Sequence, residues 1–172
     1  QSDKTSELAV GNAKQLVSAG ADAVKIEGNK TGIIRAIISE GIPVMGHVGL
    51  LPQTTDRFRV RGRKEREANQ ILEDAVSLEL AGCFAVVLEC IPNSVAKKIT
   101  ESLSIPAIGI GAGSSCDGQV LVTHDLIGLF DRFKPSFAKQ FVNVKKEILR
   151  AVECYKFEVQ QGTFPDADHS YE

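Results

Sequence analysis

One pattern recurs four times along this chain: an amphipathic segment, a short turn that usually holds a glycine, and an apolar run that ends in a glycine or a charged residue. Gly20, Gly41 and Gly82 stand in three of the turns, where glycine suits the left-handed backbone that ends a helix. Each repeat therefore predicts a helix, a cap and a strand. The apolar runs cover residues 23–28, 43–47, 85–89 and 106–111.

The segments between these runs carry apolar residues at three- and four-residue spacing, which is typical of amphipathic helices. A fifth strand is expected around Val120–Val122, and a further helical stretch runs from Pro135 to about Gln160. Apolar strands that alternate with helices indicate a parallel sheet covered by helices, so the fold class is α/β. The other helices are predicted at about 3–19, 31–40, 64–81 and 93–103.

Four ionisable residues lie at the ends of predicted strands: Lys25, Glu27, His47 and Glu89. Alternate residues of a strand face opposite sides of the sheet. If the apolar neighbours face the helices, Lys25 and Glu27 point inward together, and Glu89 does the same on its own strand. Catalytic groups of (β/α)₈ barrels come from the C-terminal ends of several strands. The arrangement therefore favours a barrel over an open doubly wound sheet.

Each of these residues also has a purely structural interpretation. Lys25 and Glu27 would form a buried ion pair, and Glu89 would bond to a neighbouring loop. Burying charges is costly unless they meet partners or a ligand. A third ionisable group on another strand therefore favours a functional site over an isolated ion pair. In such a site, Glu89 would be a general base. For His47, a structural hydrogen bond and a substrate contact stay equally open. The glycines around His47 would keep the backbone close to an occupant of the barrel mouth.

Two further segments carry possible functions. Gly109–Gly113 could cradle a phosphate, but it lacks the lysine and the hydroxyl of a P-loop, so a tight bend is the preferred interpretation. The basic stretch Arg57–Lys64 is interpreted as a solvated loop; its functional alternative is a mobile cover that screens an anionic substrate.

The length of 172 residues predicts one domain, residues 1–172. The net charge of −2, with basic residues spread along the chain, does not indicate a nucleic-acid partner. No apolar run approaches the roughly 20 residues of a membrane span, and no signal-peptide pattern is present. The four cysteines lack C-x-x-C spacing and are expected to be reduced and structural, which makes the cytoplasm the expected location.

Five motifs follow one another in the chain: Val24–Gly28, Gly46–Gln53, Val87–Pro92, Ile108–Gly113 and Asp117–Gln119. Together with the tail at 162–170, they resemble the ketopantoate hydroxymethyltransferase family nearly from end to end. The resemblance implies transfer of a hydroxymethyl group from 5,10-methylenetetrahydrofolate to 3-methyl-2-oxobutanoate. The product would be 2-dehydropantoate, an intermediate of pantothenate synthesis.

The resemblance also implies roles for the four ionisable residues. A divalent cation, usually Mg²⁺, is chelated by the substrate and stabilises an enolate. Glu89 would remove the C3 proton, Lys25 would pair with the substrate carboxylate, Glu27 would belong to the metal's shell, and His47 would help to hold the substrate. The implied partners are the oxo acid, the folate and further copies of the chain in a homo-oligomer, a decamer.

The implied fold is a TIM (β/α)₈ barrel of the phosphoenolpyruvate/pyruvate type, to which this chain would contribute about strands 4–8. The family's first three strands, with two metal-binding aspartates and a nearby serine, have no counterpart, and the first residue, Gln1, suggests that something upstream is missing. Five strands cannot close such a barrel, and Glu27 alone would hold a metal weakly. The isolated chain is therefore expected to be poorly active.

Two rival functions stay open. A metal-dependent lyase or aldolase of the phosphoenolpyruvate/pyruvate barrel group would share the enolate chemistry but would need no folate. An inactive half-barrel scaffold would not bind the oxo acid at all. Exchange of the substrate's C3 proton with D₂O would test the role of Glu89, and isothermal titration would identify a scaffold.

Overall fold

A computed structural model describes residues 3–55, 58–130 and 135–171, which fall into two compact units, Gln1–Val120 and Leu121–Glu172. The first unit holds a five-stranded parallel sheet whose strands pair in the order in which they occur along the chain. The strands are β1 Val24–Glu27, β2 Val44–Gly49, β3 Ala85–Glu89, β4 Ala107–Ile110 and β5 Gly118–Gln119.

Helices alternate with these strands and share one core with them. The helices of the first unit are α1 Ser6–Ser18, α2 Thr31–Ile38, α3 Glu65–Leu80 and α4 Asn93–Ser102. Val24, Val44, Val86 and other apolar strand residues belong to the same buried cluster as apolar residues of all four helices. The four helices therefore cover one face of the sheet.

Strand order and helix placement together distinguish a barrel from a doubly wound sheet. A doubly wound sheet reverses its strand order and carries helices on both faces. Here the order is sequential and the helices share one face, as in a (β/α)₈ barrel. The predicted partial barrel is confirmed.

The glycine turns close the helices as predicted. Gly20, Gly41 and Gly82 have φ values of 102°, 77° and 100°, and each follows the last turn of a helix. The N-terminus of α1 is also fixed locally, because Thr5 Oγ1 accepts a hydrogen bond of 3.2 Å from Leu8 N.

The fifth strand differs from the prediction. It is Gly118–Gln119, whereas the sequence predicted Val120–Val122. Asp117 Oδ2 accepts a hydrogen bond of 2.8 Å from Ala107 N, which fixes this segment beside the start of β4. The apolar residues that suggested the later strand lead into a short helix, α5 Thr123–Leu126, and Val120 and Val122 are about half exposed.

The second unit contains α5, the long helix α6 Val144–Gln161 and a 3₁₀ turn at Ala167–His169. The prediction placed the start of the long helix too early, at Pro135. Residues before Val144 bond elsewhere, since Phe141 N donates to Leu126 O, and Asn143 then caps the helix by accepting from Lys146 N. Gly162 ends α6 in the left-handed conformation, with φ 70°.

Among the helices described, none combines the length and the apolar character needed to cross a membrane. The prediction of a single partial-barrel domain stays a prediction.

Candidate active site

The strand register brings the four predicted site residues to one region of the sheet. Glu27 of β1 lies beside His47 of β2, and Gly49 of β2 lies beside Glu89 of β3. These residues alternate with the apolar residues that face the helices, so their side chains lie on the opposite face. The predicted inward parity is therefore confirmed, at the C-terminal ends of three adjacent strands.

Contacts link the four side chains across these strands. Lys25 Nζ lies 3.0 Å from His47 Nδ1 and 3.4 Å from Glu27 Oε1. On the other side of the ring, His47 Nε2 lies 3.2 Å from Glu89 Oε2. Glu27 and His47 are buried, with side chains 6% and 2% exposed, whereas Lys25 is 40% exposed. A substrate could thus reach the ammonium group of Lys25, while Glu27 and His47 are held in place by their burial.

The contact with Lys25 favours one tautomer of His47. An ammonium group only donates hydrogen bonds, so Nδ1 must accept and the proton of a neutral imidazole lies on Nε2. Nε2 is close to Glu89, but the geometry is not that of a hydrogen bond, and this buried nitrogen has no hydrogen-bond partner among the described residues. A buried N–H without an acceptor is costly, so an oxygen of a bound ligand would be stabilised there.

Glu27 is anchored from the loop that follows β2. Gln53 N donates a hydrogen bond of 3.1 Å to Glu27 Oε2, and Glu27 Oε1 faces Lys25. Mg²⁺ requires near-octahedral oxygen coordination. Within the described ranges no group of three His, Cys, Asp or Glu side chains is arranged to hold a metal. The residues in hand therefore do not fit a complete metal site, although Glu27 could contribute one ligand.

The backbone at Glu89 is held from three directions. Glu89 O accepts from Leu50 N at 2.9 Å, and the next residue, Cys90, donates to Ile110 O at 2.9 Å and accepts from Arg61 N at 2.8 Å. Cys90 has φ 50°, and within the described chain it is the single non-glycine residue with positive φ. Such backbone persists only where the surroundings impose it. These contacts hold the backbone from which the Glu89 side chain extends.

The glycines around His47 serve this packing. A Cβ on Gly49 would lie 2.2 Å from Glu89 O, and one on Gly46 would lie 2.8 Å from Leu78 Cδ1. At both glycines, protein atoms occupy the space that a side chain would need, whereas the sequence had suggested a bound ligand nearby. Gly49 was among the glycines noted around His47 from the sequence, but Cys90 was not singled out. The signal for Gly49 was its place two residues after His47, and for Cys90 there was none.

The loop Gly109–Gly113 is the predicted tight bend. Gly111 and Gly113 have φ 64° and 82°, and a Cβ on Gly113 would lie 2.2 Å from Asn93 Oδ1. Gln119 Nε2 donates to Gly113 O at 2.9 Å. The loop is packed against its own neighbours.

The described part of the basic stretch is a loop with mostly exposed residues, in agreement with the interpretation as a solvated loop, and two of its arginines form ion pairs. Arg57 lies outside the described residues, but Arg59 and Arg61 both approach Glu67 Oε1, at 3.6 and 3.5 Å. Arg61 is also joined to β3 through its backbone bond to Cys90. Its role as a cover over a substrate stays a prediction.

All four cysteines are free thiols, as expected. Burial raises the pKa of Cys83 to about 11. Burial also raises the pKa of Cys90, and the charge of the adjacent Glu89 adds to this increase. The neutral thiol is therefore the stable form of Cys90 next to the proposed base.

The model of the family described as ketopantoate hydroxymethyltransferase matches residues 1–167. The chain is 54% identical over 169 residues to the 3-methyl-2-oxobutanoate hydroxymethyltransferase of Moorella thermoacetica, which covers 95% of this chain and 63% of that protein. It is 48% identical over 171 residues to the enzyme of the same name from Heliobacterium modesticaldum, covering 96% and 62%. The chain thus spans about five-eighths of the length of these relatives and matches their C-terminal part.

Among solved structures, the chain is similar to a phosphonopyruvate hydrolase, with a TM-score of 0.55 and 13% identity, over 100% of this chain and 62% of that one. It is also similar to a putative phosphonomutase from Burkholderia cenocepacia J2315, with a TM-score of 0.50 and 12% identity, over 92% and 64%. At such identities the likeness concerns the fold alone.

Proposed function

The chain belongs to the ketopantoate hydroxymethyltransferase family, and from that membership we propose that it takes part in hydroxymethyl transfer from 5,10-methylenetetrahydrofolate to 3-methyl-2-oxobutanoate. The observation that carries the proposal is the line of contacts from Glu27 through Lys25 and His47 to Glu89. It places one cation, one buried N–H and one carboxylate at neighbouring strand ends, which is what an α-oxo acid needs for binding and for deprotonation at C3.

Glu89 is the proposed general base. Its side chain is 16% exposed, so it is shielded from bulk water but accessible to a ligand. Removal of the C3 proton leaves an enolate, whose carbon would bond to the methylene carbon of the folate as one C–N bond of the methylene bridge breaks. One water would then replace the second C–N bond, which gives the hydroxymethyl group and releases tetrahydrofolate. A positioned base typically contributes about 10²–10⁴-fold to such a proton removal. The fixed backbone around Glu89 suits this role, because proton transfer requires the carboxylate at hydrogen-bond distance.

Lys25 and His47 are the proposed substrate-binding residues. The exposed ammonium group of Lys25 would pair with the substrate carboxylate in a charge-assisted hydrogen bond. The Nε2–H of His47 would donate to a substrate oxygen and thereby gain the acceptor that the described residues do not provide. Glu27 Oε1 lies 3.4 Å from Lys25 Nζ and would help to orient the ammonium group.

The proposal includes a divalent cation, Mg²⁺ by family resemblance. Its coordination would require ligands in addition to the residues described here. Such an ion would polarise the oxo acid and stabilise negative charge on its oxygen. Glu27 is the residue here that would contribute to its shell, as the sequence suggested. The proposed homo-oligomer, a decamer, and the proposed cytoplasmic location likewise rest on family resemblance and on the reduced cysteines.

Deuterium exchange tests the central role of Glu89 without any folate. The purified protein is incubated with 3-methyl-2-oxobutanoate in D₂O, with and without Mg²⁺, and loss of the C3 proton signal is followed by NMR. Glu89→Gln should lower the exchange rate by about 10²-fold or more. The matched control is Glu101→Gln, on the exposed surface of α4, which should leave the rate unchanged.

Formation of 2-dehydropantoate after addition of 5,10-methylenetetrahydrofolate separates this function from the lyase and aldolase alternatives. Exchange without transfer would refute the folate part of the proposal. Equal exchange rates in the wild type and in Glu89→Gln would refute the role of Glu89.

A further inference from the structure

A groove opens between the N-terminal parts of α3 and α4 and encloses about 700 Å³. This volume lies within the range of about 300–1,000 Å³ that is typical of small-molecule sites. We refer to it as the α3–α4 groove; the residues used below are Gly62, Arg63, Leu72, Pro92, Val95 and Lys98.

The groove adjoins the strand end that carries Glu89. Pro92 follows Glu89 by three residues, and a Cβ on Gly62 would lie 3.7 Å from Pro92 Cδ, so the two walls meet there. The residue before Gly62 donates its backbone N–H to Cys90 O at 2.8 Å. The groove therefore begins at the rim of the candidate active site and leads outward between the helices.

The charges of the groove favour an anion. Arg63 and Lys98 are exposed and have no ion-pair partner within the described part of the chain, whereas Arg59 and Arg61 nearby share Glu67. Glu65 is the carboxylate that lines the groove, so one positive charge is left in excess. The N-termini of α3 and α4 also lack side-chain caps, and their dipoles add positive potential.

Part of the groove's lining is apolar. Leu72, Pro92 and Val95 line the groove and are each partly buried. Such a surface suits an aromatic ring, and the cations beside it suit carboxylates that follow the ring. A ligand with these two parts in sequence would match both features.

We propose that the α3–α4 groove binds the p-aminobenzoyl-glutamate tail of the folate donor. This inference rests on the proposed function, because the donor's methylene carbon must reach the substrate beside Glu89 while the rest of the molecule extends away from it. The aromatic ring packs on Leu72, Pro92 and Val95, and the glutamate carboxylates face Arg63 and Lys98. Additional glutamates on the tail strengthen binding through the same cations.

Direct binding of two probes tests the inference. p-Aminobenzoyl-glutamate and p-aminobenzoyl-triglutamate are titrated into the purified protein at low ionic strength, and binding is measured by calorimetry or NMR. The triglutamate should bind several-fold more tightly than the monoglutamate, and added salt should reduce the difference. Arg63→Ala and Lys98→Ala should each weaken triglutamate binding by roughly two- to fivefold, and the double variant by roughly tenfold.

Matched controls come from neighbouring cations outside the groove. Lys97 points to Glu101 on the same helix as Lys98, and Arg66 lines other hollows of α3. Lys97→Ala and Arg66→Ala should bind both probes as the wild type does. The inference is overturned if neither probe binds at millimolar concentration, or if the control variants weaken binding as much as the groove variants do.

Failure of this inference is distinguishable from failure of the proposed function. Deuterium exchange uses the oxo acid alone, so exchange that depends on Glu89 without binding of the tail would refute only the groove assignment. Binding of the tail that depends on Arg63 and Lys98 without any exchange would refute the proposed function instead.

Discussion

His47 accepts a hydrogen bond of 3.0 Å from the Lys25 ammonium group through Nδ1, and this contact joins two adjacent strands on the face opposite the helices. Because an ammonium group only donates, this contact favours the tautomer whose proton is on Nε2, on the side of Glu89. The lysine thus has two functions in the proposed site: it presents a positive charge to the substrate and it selects the tautomer of the neighbouring histidine.

Lys25→Met should therefore weaken substrate binding more than it lowers turnover. Loss of a charge-assisted hydrogen bond costs about 1.5–3 kcal/mol, so the KM or Kd for the oxo acid should rise roughly ten- to hundredfold. Titration of the oxo acid by calorimetry measures this effect. Lys14→Met, which removes an exposed cation paired with Glu40, is the matched control and should change nothing. Unchanged affinity in Lys25→Met would remove Lys25 from the binding site.

Gly49→Ala should destabilise the fold because its Cβ would approach Glu89 O to 2.2 Å at a position with φ 95°. We expect the free energy of unfolding to fall by about 2 kcal/mol or more. Gly11→Ala is the contrasting control. Gly11 lies inside α1 with no atom within 4 Å of a new Cβ, so this change should stabilise by about 0.5–1 kcal/mol. Urea unfolding measures both effects, and equal behaviour of the two variants would contradict the packing described here.

Cys90→Gly tests the left-handed backbone beside Glu89. Glycine adopts φ 50° without steric cost, so this variant should keep the stability of the wild type within about 1 kcal/mol, whereas Cys90→Val should lose about 1–3 kcal/mol. If the backbone also positions Glu89, Cys90→Gly should restore the exchange rate that Cys90→Val lowers. A valine variant as stable and as active as the glycine variant would show that the conformation is unimportant.

Alkaline pH should destabilise the protein through Cys83. Its pKa is raised from 9.0 to about 11 by burial, so between these values the unfolded chain loses the thiol proton while the folded chain keeps it. Unfolding then becomes more favourable as the pH rises from about 9 to about 11, by at most roughly 3 kcal/mol, and no further loss from this group follows above that range. Urea unfolding at pH 8 and pH 10 should show a smaller pH dependence in Cys83→Ala. Cys154→Ala, which removes an exposed thiol, should keep the wild-type dependence.

Mg²⁺ should bind weakly to these 172 residues, since Glu27 is the single carboxylate proposed as a ligand and the described side chains offer no group of three. We expect a dissociation constant on the order of 1 mM or weaker, lost in Glu27→Gln and kept in Glu7→Gln. Calorimetric titration measures it. Micromolar affinity that survives Glu27→Gln would place the metal elsewhere.

Much of the fold and of the residue grouping could be predicted because both follow from local periodicity. The two-residue repeat of β1 and β3 placed Lys25, Glu27 and Glu89 on one face, and glycines at helix ends marked where β1, β2 and β3 would begin. The alternation of helix and strand indicated a parallel sheet, and the ionisable residues at the strand ends favoured the barrel. These features depend on residues that are close together in the chain.

The parts that could not be predicted depend on contacts between distant segments. Cys90, which has a positive φ, accepts a hydrogen bond from Arg61 N and donates one to Ile110 O, and the residue type gives no indication of either contact. The start of α6 was placed too early because Phe141 bonds to Leu126 instead of continuing a helical ladder. The periodicity of the sequence does not indicate the contacts of Cys90 or of Phe141.

The chain-order pairing of the strands has a consequence for how the protein folds. Val24 pairs with Val44 and Val86 with Ala107, so each strand meets a partner from the next helix–strand unit, and few pairings require distant segments to find each other. The sheet can therefore assemble by addition of one unit at a time. β3, which has partners on both sides and a core of fully buried residues, should hold the amide protons that exchange most slowly with solvent, and the two outer strands should open first.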